Sequence, residues 1–550
     1  MTLLLWILVL GPLVAVLTQI LIPGFFFGNR QFGQVTLLFD VFRRPLWQHA
    51  LQNSLVLSIS TAVMGTLIGA SLAIFRSRWH FPTARWLDVS VWLLFVTPSF
   101  IIAQGWVLFA AKNGVAAQLL GADFVTSFIF HPIGLTFIMV LSKFPLAYLA
   151  VHAALEWQVE SLSHAARLTG ASPVRTWFTV HIPLLKPAIG SGMALVFMDA
   201  IGDFGITATV SAVYRFPTLP YTIYSAIYTS PIRFDMAGVL SFYLIIIIML
   251  AIVFQFYMMK GSRYDSLTAG AVRTRQKKIA SKGWIATTCN VLFLFLAIGI
   301  PIGCTVFTSF VHEPSKGLAM DNWTVAHYVD LFTSNSLFVV SLLRSIKIAL
   351  IAALAGLLLG AMIAYVLIFT QFRFKHLLES MSLISLAVPG VVLGIGYIFV
   401  WNQKWLESYG LLLYGKPSIL ILAAIAGTIP IITRIISGTM ATVPRTMLDV
   451  AQLQGVALSG RIFSILLPLC KSALVTAALS AFGASMFDLA VNSILFPPSQ
   501  PTLPVMINKA FENLKFGYAA AATMLGGSIV TTLIITARWL LNLNMRRKYR

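Results

Sequence analysis

Among the ionisable residues that lie inside or at the ends of apolar stretches, where an ionised group is costly, four are the first candidates for chemistry. Asp203, in the run DAIGDFG, and Asp488, in SMFDLAV, occupy matching places in the two halves of the chain. Asp199 stands one helical turn before Asp203, and Lys143 falls in the middle of an earlier apolar run. A charge at membrane depth is not solvated by lipid, so such residues mark a pathway or a specific partner by default. Two carboxylates in equivalent places could face each other across a pathway and attract a cation or a cationic group. The same residues could instead cap broken helices or bind loops near a surface. Lys143 matches Thr428 in the second half, so its charge lies outside the duplicated plan. It either neutralises a nearby carboxylate, contacts an anion, or extends toward the interface. Other chemistry is poorly provided for. The run from Gly410 to Lys416 approaches a phosphate loop, but Pro417 stands where the hydroxyl for magnesium is needed. The histidines are scattered, no His, Asp or Glu set has catalytic or metal-ligand spacing, and the three cysteines read as packing residues.

A second pattern is mechanical. HAARLTG at 164–170 is followed by His181-Ile182-Pro183, and DVAQLQG at 449–455 by Leu466-Leu467-Pro468. In each, an alanine (Ala166, Ala451) stands four residues before a glycine (Gly170, Gly455), with a proline (Pro183, Pro468) thirteen after it. Small residues on an exposed helical turn let another protein approach closely. Gly ends the turn and Pro fixes the chain as it re-enters the next apolar segment. His164, Ala165, Ala166, Gly170 and Pro183, with Asp449, Ala451, Gly455 and Pro468, are therefore candidate docking residues.

The elements that must position these residues are long and apolar. The chain of 550 residues is 58% hydrophobic and 10% charged, with a mean hydropathy of +0.88. About twelve runs reach the ~20 residues a helix needs to cross a bilayer. They lie near 2–22, 50–75, 88–111, 133–155, 187–205, 237–259, 284–310, 341–369, 378–401, 417–440, 469–491 and 519–541. Continuous apolar runs exclude a β-barrel, whose strands alternate. The first run has no basic leader and no small-residue cleavage site, so it reads as a retained span. The fold expected is an all-α polytopic membrane protein. The net charge of +21 follows from topology rather than from nucleic acid. With both termini and both docking loops inside, most Lys and Arg fall on the cytoplasmic side, as the positive-inside rule requires.

The second half repeats the first in the same direction. Gly65, Gly69, Ala73, Pro98 and Gly105 fall on Gly356, Gly360, Ala364, Pro389 and Gly396 at an offset of 291. From Pro145 and Pro430 onward the offset is 285, carrying Ala166, Gly170, Pro183 and Asp203 onto their partners. The repeat is parallel, a tandem of two six-helix units at 1–259 and 284–550 joined by a basic cytoplasmic linker at 260–283. The paired glycines, four apart on one helix face, predict close helix packing. Pro98 and Pro389 predict kinks.

The docking pattern resembles the cytoplasmic loop (EAA, three residues, G, nine residues, I-x-L-P) of permease subunits in binding-protein-dependent ABC importers. His164 and Asp449 stand in place of the family's Glu, and Val450 in place of one Ala. DAIGDFG, Pro217-Thr218-Leu219-Pro220, Phe234-Asp235-Met236-Ala237 and FDLAVNSILFPPSQPTL at 487–503 are similar to the fused two-domain permeases of ferric-ion uptake, and the likeness covers nearly the whole chain. The resemblance implies a type I, MetI-like permease of a bacterial cytoplasmic (inner) membrane, with both termini cytoplasmic. It implies two copies of an ABC ATPase that bind ATP and magnesium, a periplasmic or lipid-anchored solute-binding protein, surrounding lipid, and no catalysis or cofactor in this chain. Ferric iron is the solute it points to; relatives that carry thiamine, polyamines, phosphonates or sugar phosphates leave alternatives open. A competing reading is an ion-coupled secondary transporter titrating Asp203 and Asp488, which leaves the paired docking loops unexplained. A membrane-embedded enzyme is a third, and it lacks a catalytic constellation.

Overall fold

The computed structural model describes residues 2–22, 25–26, 36–121, 123–156, 165–211, 213–260, 277–278, 283–313, 316, 319–333 and 336–547. Most of the linker expected at 260–283 lies outside them, as does His164. In hydrocarbon every backbone polar group needs a partner within the protein, and a helix supplies one within a single segment. Among the described residues, ten helices are long and apolar enough to cross a membrane. Two shorter apolar helices, Trp6–Leu21 and Gly390–Trp401, stand at the remaining expected positions.

The principal helices along the first half are α1 (Gly11–Leu21), α2 (Pro45–Arg78), α3 (Ala84–Val96), α4 (Ser99–Ala110), α5 (Pro132–Glu156), α6 (Ile182–Ile201), α7 (Gly205–Ser211), α8 (Leu219–Tyr228) and α9 (Phe234–Met259). Along the second they are α10 (Ile300–Ser309), α11 (Leu337–Phe369), α12 (Lys375–Ala387), α13 (Gly390–Trp401), α14 (Pro417–Met440), α15 (Arg445–Leu453), α16 (Leu467–Met486), α17 (Leu489–Leu495), α18 (Leu503–Glu512) and α19 (Phe516–Arg547). Local chemistry sets several ends. Pro45 and Pro417 open α2 and α14, where a missing N–H costs nothing, and Arg76 and Arg78 sit in the last turn of α2, against the negative end of its dipole. Pro98 and Pro389 do more than kink their spans. The residues before them, Thr97 (ψ 127°) and Val388 (ψ 122°), are extended, so each span is broken outright into α3–α4 and α12–α13. The proline ring keeps the preceding residue out of the helical region.

The chain packs as two compact units: Val41–Thr222 with Tyr243–Trp323, and Met1–Asp40 with Ile223–Phe242 and Thr324–Arg550. In the first, α2, α5 and α6 pack on one another; in the second, α11, α14 and α16 do the same. The paired glycines lie at these crossings, as their spacing predicts. A methyl group on Gly69 would fall 2.9 Å from the Tyr148 amide nitrogen, and one on Gly360 would fall 2.7 Å from the Ile432 side chain.

Each unit also takes in one span from the other half of the sequence. α10 packs on α4 in the first unit, and α1 packs on α13 in the second. At these contacts sit Gly105 and Gly396, where an added Cβ would collide with the backbone carbonyls of Pro301 and Pro12 respectively. Pro12 leaves the Leu8 carbonyl without its helical donor, and the buried Tyr397 hydroxyl donates to that oxygen at 2.9 Å. The Gly105 contact makes a prediction. Gly105→Ala forces two backbones apart and should destabilise the protein by about 1–3 kcal/mol. Gly303→Ala, at a glycine where an added Cβ meets nothing within 4 Å among the described residues, should leave stability unchanged. Heating the two variants in detergent and measuring the monodisperse fraction checks this; equal midpoints would disprove the close-packing assignment.

Candidate functional site

The two candidate docking turns are built alike. Residues 165–168 are helical and Gly170 follows with φ +84°; α15 ends at Leu453 and Gly455 follows with φ +79°. The Gly170 amide donates to the Arg167 carbonyl and the Ala171 amide to Ala166, both at 3.0 Å. The Gly455 amide donates to Gln452 and the Val456 amide to Ala451, again at 3.0 Å. This pair of bonds is the Schellman C-cap, whose outer bond joins the residue after the left-handed position to the carbonyl five residues back. The Ala-to-Gly spacing of four thus has a geometric cause: the alanine supplies the accepted carbonyl and the glycine the left-handed turn. Among the described residues nothing lies within 4 Å of a Cβ on either glycine, so the requirement is conformational rather than steric.

The prolines act thirteen residues further on, where the chain re-enters the next long helix. Trp177–His181 and Ile462–Leu466 are π-helical, and Pro183 and Pro468 come just after them. A proline cannot donate to the carbonyl four residues back, and the wider turn accommodates the missing bond through Ile182 to Trp177 and Leu467 to Ile462. In the first unit the Arg78 guanidinium lies 3.8 Å over the Trp177 ring, tying the end of α2 to the re-entry turn. In the second, Arg461 Nη1 donates to Gln452 Oε1 at 2.6 Å, and Arg445 donates to the Ile368 carbonyl at the end of α11.

Ala165 and Asp449 are exposed, and Ala451 is buried beneath its turn. The residues that project furthest were not singled out by motif. Leu168 is 88% exposed and Leu453 87%, and Phe178 and Phe463 are 65% and 70% exposed. Each pair is related by the repeat offset of 285. The usable signal was an apolar residue recurring at the apex of a polar loop. An exposed leucine on a rigidly capped turn, present twice, is a preformed apolar knob.

The charge cluster belongs to the first unit. Lys143 Nζ on α5 lies 2.7 Å from an Asp199 carboxylate oxygen and 2.6 Å from Asp203 Oδ2. The Asp203 side chain is 3% exposed and Asp199 is half-exposed. One ammonium thus joins the two carboxylates, and Asp199 and Asp203 share a face as their spacing implies. Asp203 also has a backbone task. α6 ends at Ile201, the chain turns, and Asp203 Oδ1 accepts from the Ile206 amide at 2.7 Å as α7 begins. Asp488 repeats this in the second unit, accepting from the Val491 amide at 3.1 Å as the N-cap of α17. Each carbonyl receives a side chain one turn on, Thr207 Oγ1 at Asp203 (3.0 Å) and Asn492 Nδ2 at Asp488. Both aspartates are helix caps at matching breaks. Among the described residues, no group of three or more His, Cys, Asp or Glu is placed to hold a metal ion.

Comparison with known proteins agrees with the duplicated plan. Residues 65–261 and 356–549 each match the family described as binding-protein-dependent transport system inner membrane component. Over 98% of its length the chain is 22% identical to the ferric transport system permease protein of Actinobacillus pleuropneumoniae, 77% of which it covers. It is 23% identical over 90% of its length to a Haemophilus influenzae protein provisionally named a ferric transport system permease, 76% of which is covered. A stretch amounting to 34% of the chain is 31% identical to the molybdenum transport system permease protein of Escherichia coli, covering 80% of it.

The geometry of the charge cluster predicts an asymmetric mutational response. Lys143→Met leaves Asp203 buried without its counter-ion and should destabilise the protein by about 3–5 kcal/mol. Adding Asp199→Asn and Asp203→Asn removes the uncompensated charge while Asn retains capping ability, so the triple variant should recover most of the loss. Folded yield of both variants at fixed temperature checks this; no recovery in the triple variant would mean that Lys143 acts through something other than charge balance.

Proposed function

The chain belongs to the family of inner membrane components of binding-protein-dependent transport systems, and on that premise we propose that it forms the whole transmembrane pathway of an ATP-driven importer of ferric iron. Its two halves supply both permease units, each with one docking turn, so one chain engages two copies of an ATPase subunit. The observation that carries this reading is the pair of exposed leucines, Leu168 and Leu453, on identically capped turns. A secondary transporter has no need of two such knobs. The substrate reading is supported by the names of the relatives that match nearly the whole chain.

In this reading ATP and magnesium are bound by the ATPase subunits, and this chain carries no cofactor and performs no catalysis. The docking turns and both termini face the cytoplasm, and a periplasmic or lipid-anchored binding protein delivers the solute to the opposite face. Each partner favours one of two states of the bundle, and alternation between them moves the solute. His164, Ala165, Ala166, Gly170 and Pro183 form one docking surface; Asp449, Ala451, Gly455 and Pro468 form the other. Asp199, Asp203, Lys143 and Asp488 border the pathway. Their support is their depth in the spans and the recurrence of an aspartate at each break.

Reconstitution in lipid vesicles with the ATPase and the binding protein tests the function. Iron uptake should require ATP and ferric-loaded binding protein; uptake driven by an ion gradient alone would sink the importer reading. Leu168→Ser and Leu453→Ser should each weaken retention of the ATPase by about tenfold, as loss of a central apolar anchor does, without reducing membrane insertion. Normal retention in the double variant would sink the docking assignment.

A further inference from the structure

The tetrapeptide Pro-Thr-Leu-Pro occurs twice, at 217–220 and 501–504, on the face reached by crossing one span from each docking turn. It opens α8 in the first half and α18 in the second. Threonine ahead of a helix ordinarily caps it with its hydroxyl. Neither does so here: the Thr218 and Thr502 hydroxyls are buried with no hydrogen-bond partner among the described residues. The cap comes from elsewhere in the chain. Ser54 Oγ on α2 accepts the Leu219 amide at 2.7 Å, and Ser345 Oγ on α11 accepts the Leu503 amide at 2.8 Å. The residue before each serine completes a clamp. Asn53 Nδ2 donates to the Pro217 carbonyl at 2.9 Å, and Arg344 Nη1 donates to the Pro501 carbonyl at 2.8 Å.

Both clamps obey the repeat, with Asn53 and Ser54 falling on Arg344 and Ser345 at the offset of 291. Ser54, Ser345, Leu219 and Leu503 are all buried. Pro220 and Pro504 have no N–H, so the leucine amide is a first-turn donor with no helical acceptor of its own. Leaving it unpaired in a buried site costs roughly 1–3 kcal/mol. The long helices that carry the serines are the ones packed against the docking-loop spans, α2 on α6 and α11 on α16.

We propose that Ser54 and Ser345 are positioning residues for transport: each caps a helix on the far face from a span that also packs against a docking-loop helix. Each unit thereby holds a rigid connection from the motor-facing turn to the solute-receiving face. The proposal rests on the importer reading, and it assigns the two serines a role in coupling rather than in solute contact.

The test uses the assembled complex in lipid vesicles, with ATP hydrolysis measured with and without ferric-loaded binding protein. Ser54→Ala with Ser345→Ala should lower the stimulated rate about tenfold, the scale of unpairing buried amides. Unstimulated hydrolysis and the KM for ATP should stay as in wild type, because the ATP sites and docking turns lie at the other end of the spans. Ser54→Thr with Ser345→Thr keeps both hydroxyls and should restore stimulation to within about twofold. If the double alanine variant fails to accumulate, the single variants, each with one clamp intact, take its place, and each should show reduced stimulation. Full stimulation in the alanine variants, or loss of unstimulated hydrolysis together with it, would overturn the proposal. A wild-type complex that shows no stimulation at all would instead overturn the importer reading.

Discussion

A backbone amide or carbonyl that leaves a helix inside a bilayer has no water to turn to, and the structure is organised by how it answers that constraint. Several of the described interruptions have their own replacement partner. Asp203 and Asp488 accept the amides exposed where α7 and α17 begin. The Tyr397 hydroxyl meets the carbonyl that Pro12 leaves open. Ser54 and Ser345 reach from neighbouring helices to cap α8 and α18. The two glycine-capped turns close on themselves through backbone bonds, with a glycine in the left-handed region. Irregular segments are therefore the most constrained parts of this fold, since each requires a particular donor or acceptor in a particular place.

Duplication makes it possible to separate geometry from residue choice. The clamp on Pro-Thr-Leu-Pro keeps serine in both halves but uses Asn53 in one and Arg344 in the other. The difference follows from the acceptor: a carbonyl with two lone pairs takes a donor from an amide or a guanidinium, whereas the leucine amide needs a compact acceptor that fits a buried space. Lys143 departs further. Its counterpart, Thr428, bonds the Ala352 carbonyl at 3.2 Å and packs where a Cβ on Gly356 would fall. One half thus joins its central helices by a neutral hydroxyl and the other by an ion pair. The aspartate cap is common to both, so the ion pair is an addition to the shared plan.

Much of this was legible in the sequence, and the physical reasons are specific. Spans are readable because apolar runs of sufficient length have few other uses. The two capped turns are readable because the Schellman cap ties alanine to glycine at a fixed separation along one strand of chain. The glycine pairs at 65, 69, 356 and 360 show small-residue spacing on one helix face, and they pack closely as expected. The kinks expected at Pro98 and Pro389 are full breaks, because a proline constrains the residue before it as well as itself. Gly105 and Gly396 were visible as matched positions, yet their reason was not: their neighbours Pro301 and Pro12 are spans from the opposite half. Sequence periodicity describes one element at a time and cannot say which other element its small face receives. The same limit hid the serine clamps, whose two sides stand more than a hundred and fifty residues apart.

The exposed leucines illustrate the opposite case, in which local information suffices but is easily discounted. A single exposed leucine on a membrane protein's loop is unremarkable, since apolar atoms form much of any protein surface. Two at the same step of a repeat, each 87% or more exposed on a turn held by the same pair of backbone bonds, form a pattern. Burying a leucine fully against a partner is worth about 1.5–3 kcal/mol, and a rigid turn spends little of that on ordering. The chain presents this surface twice, at equal distance from a proline that leads into a span. What the two halves hold in common is then the exposed knob on its capped turn, while their interiors differ, as Lys143 and Thr428 do.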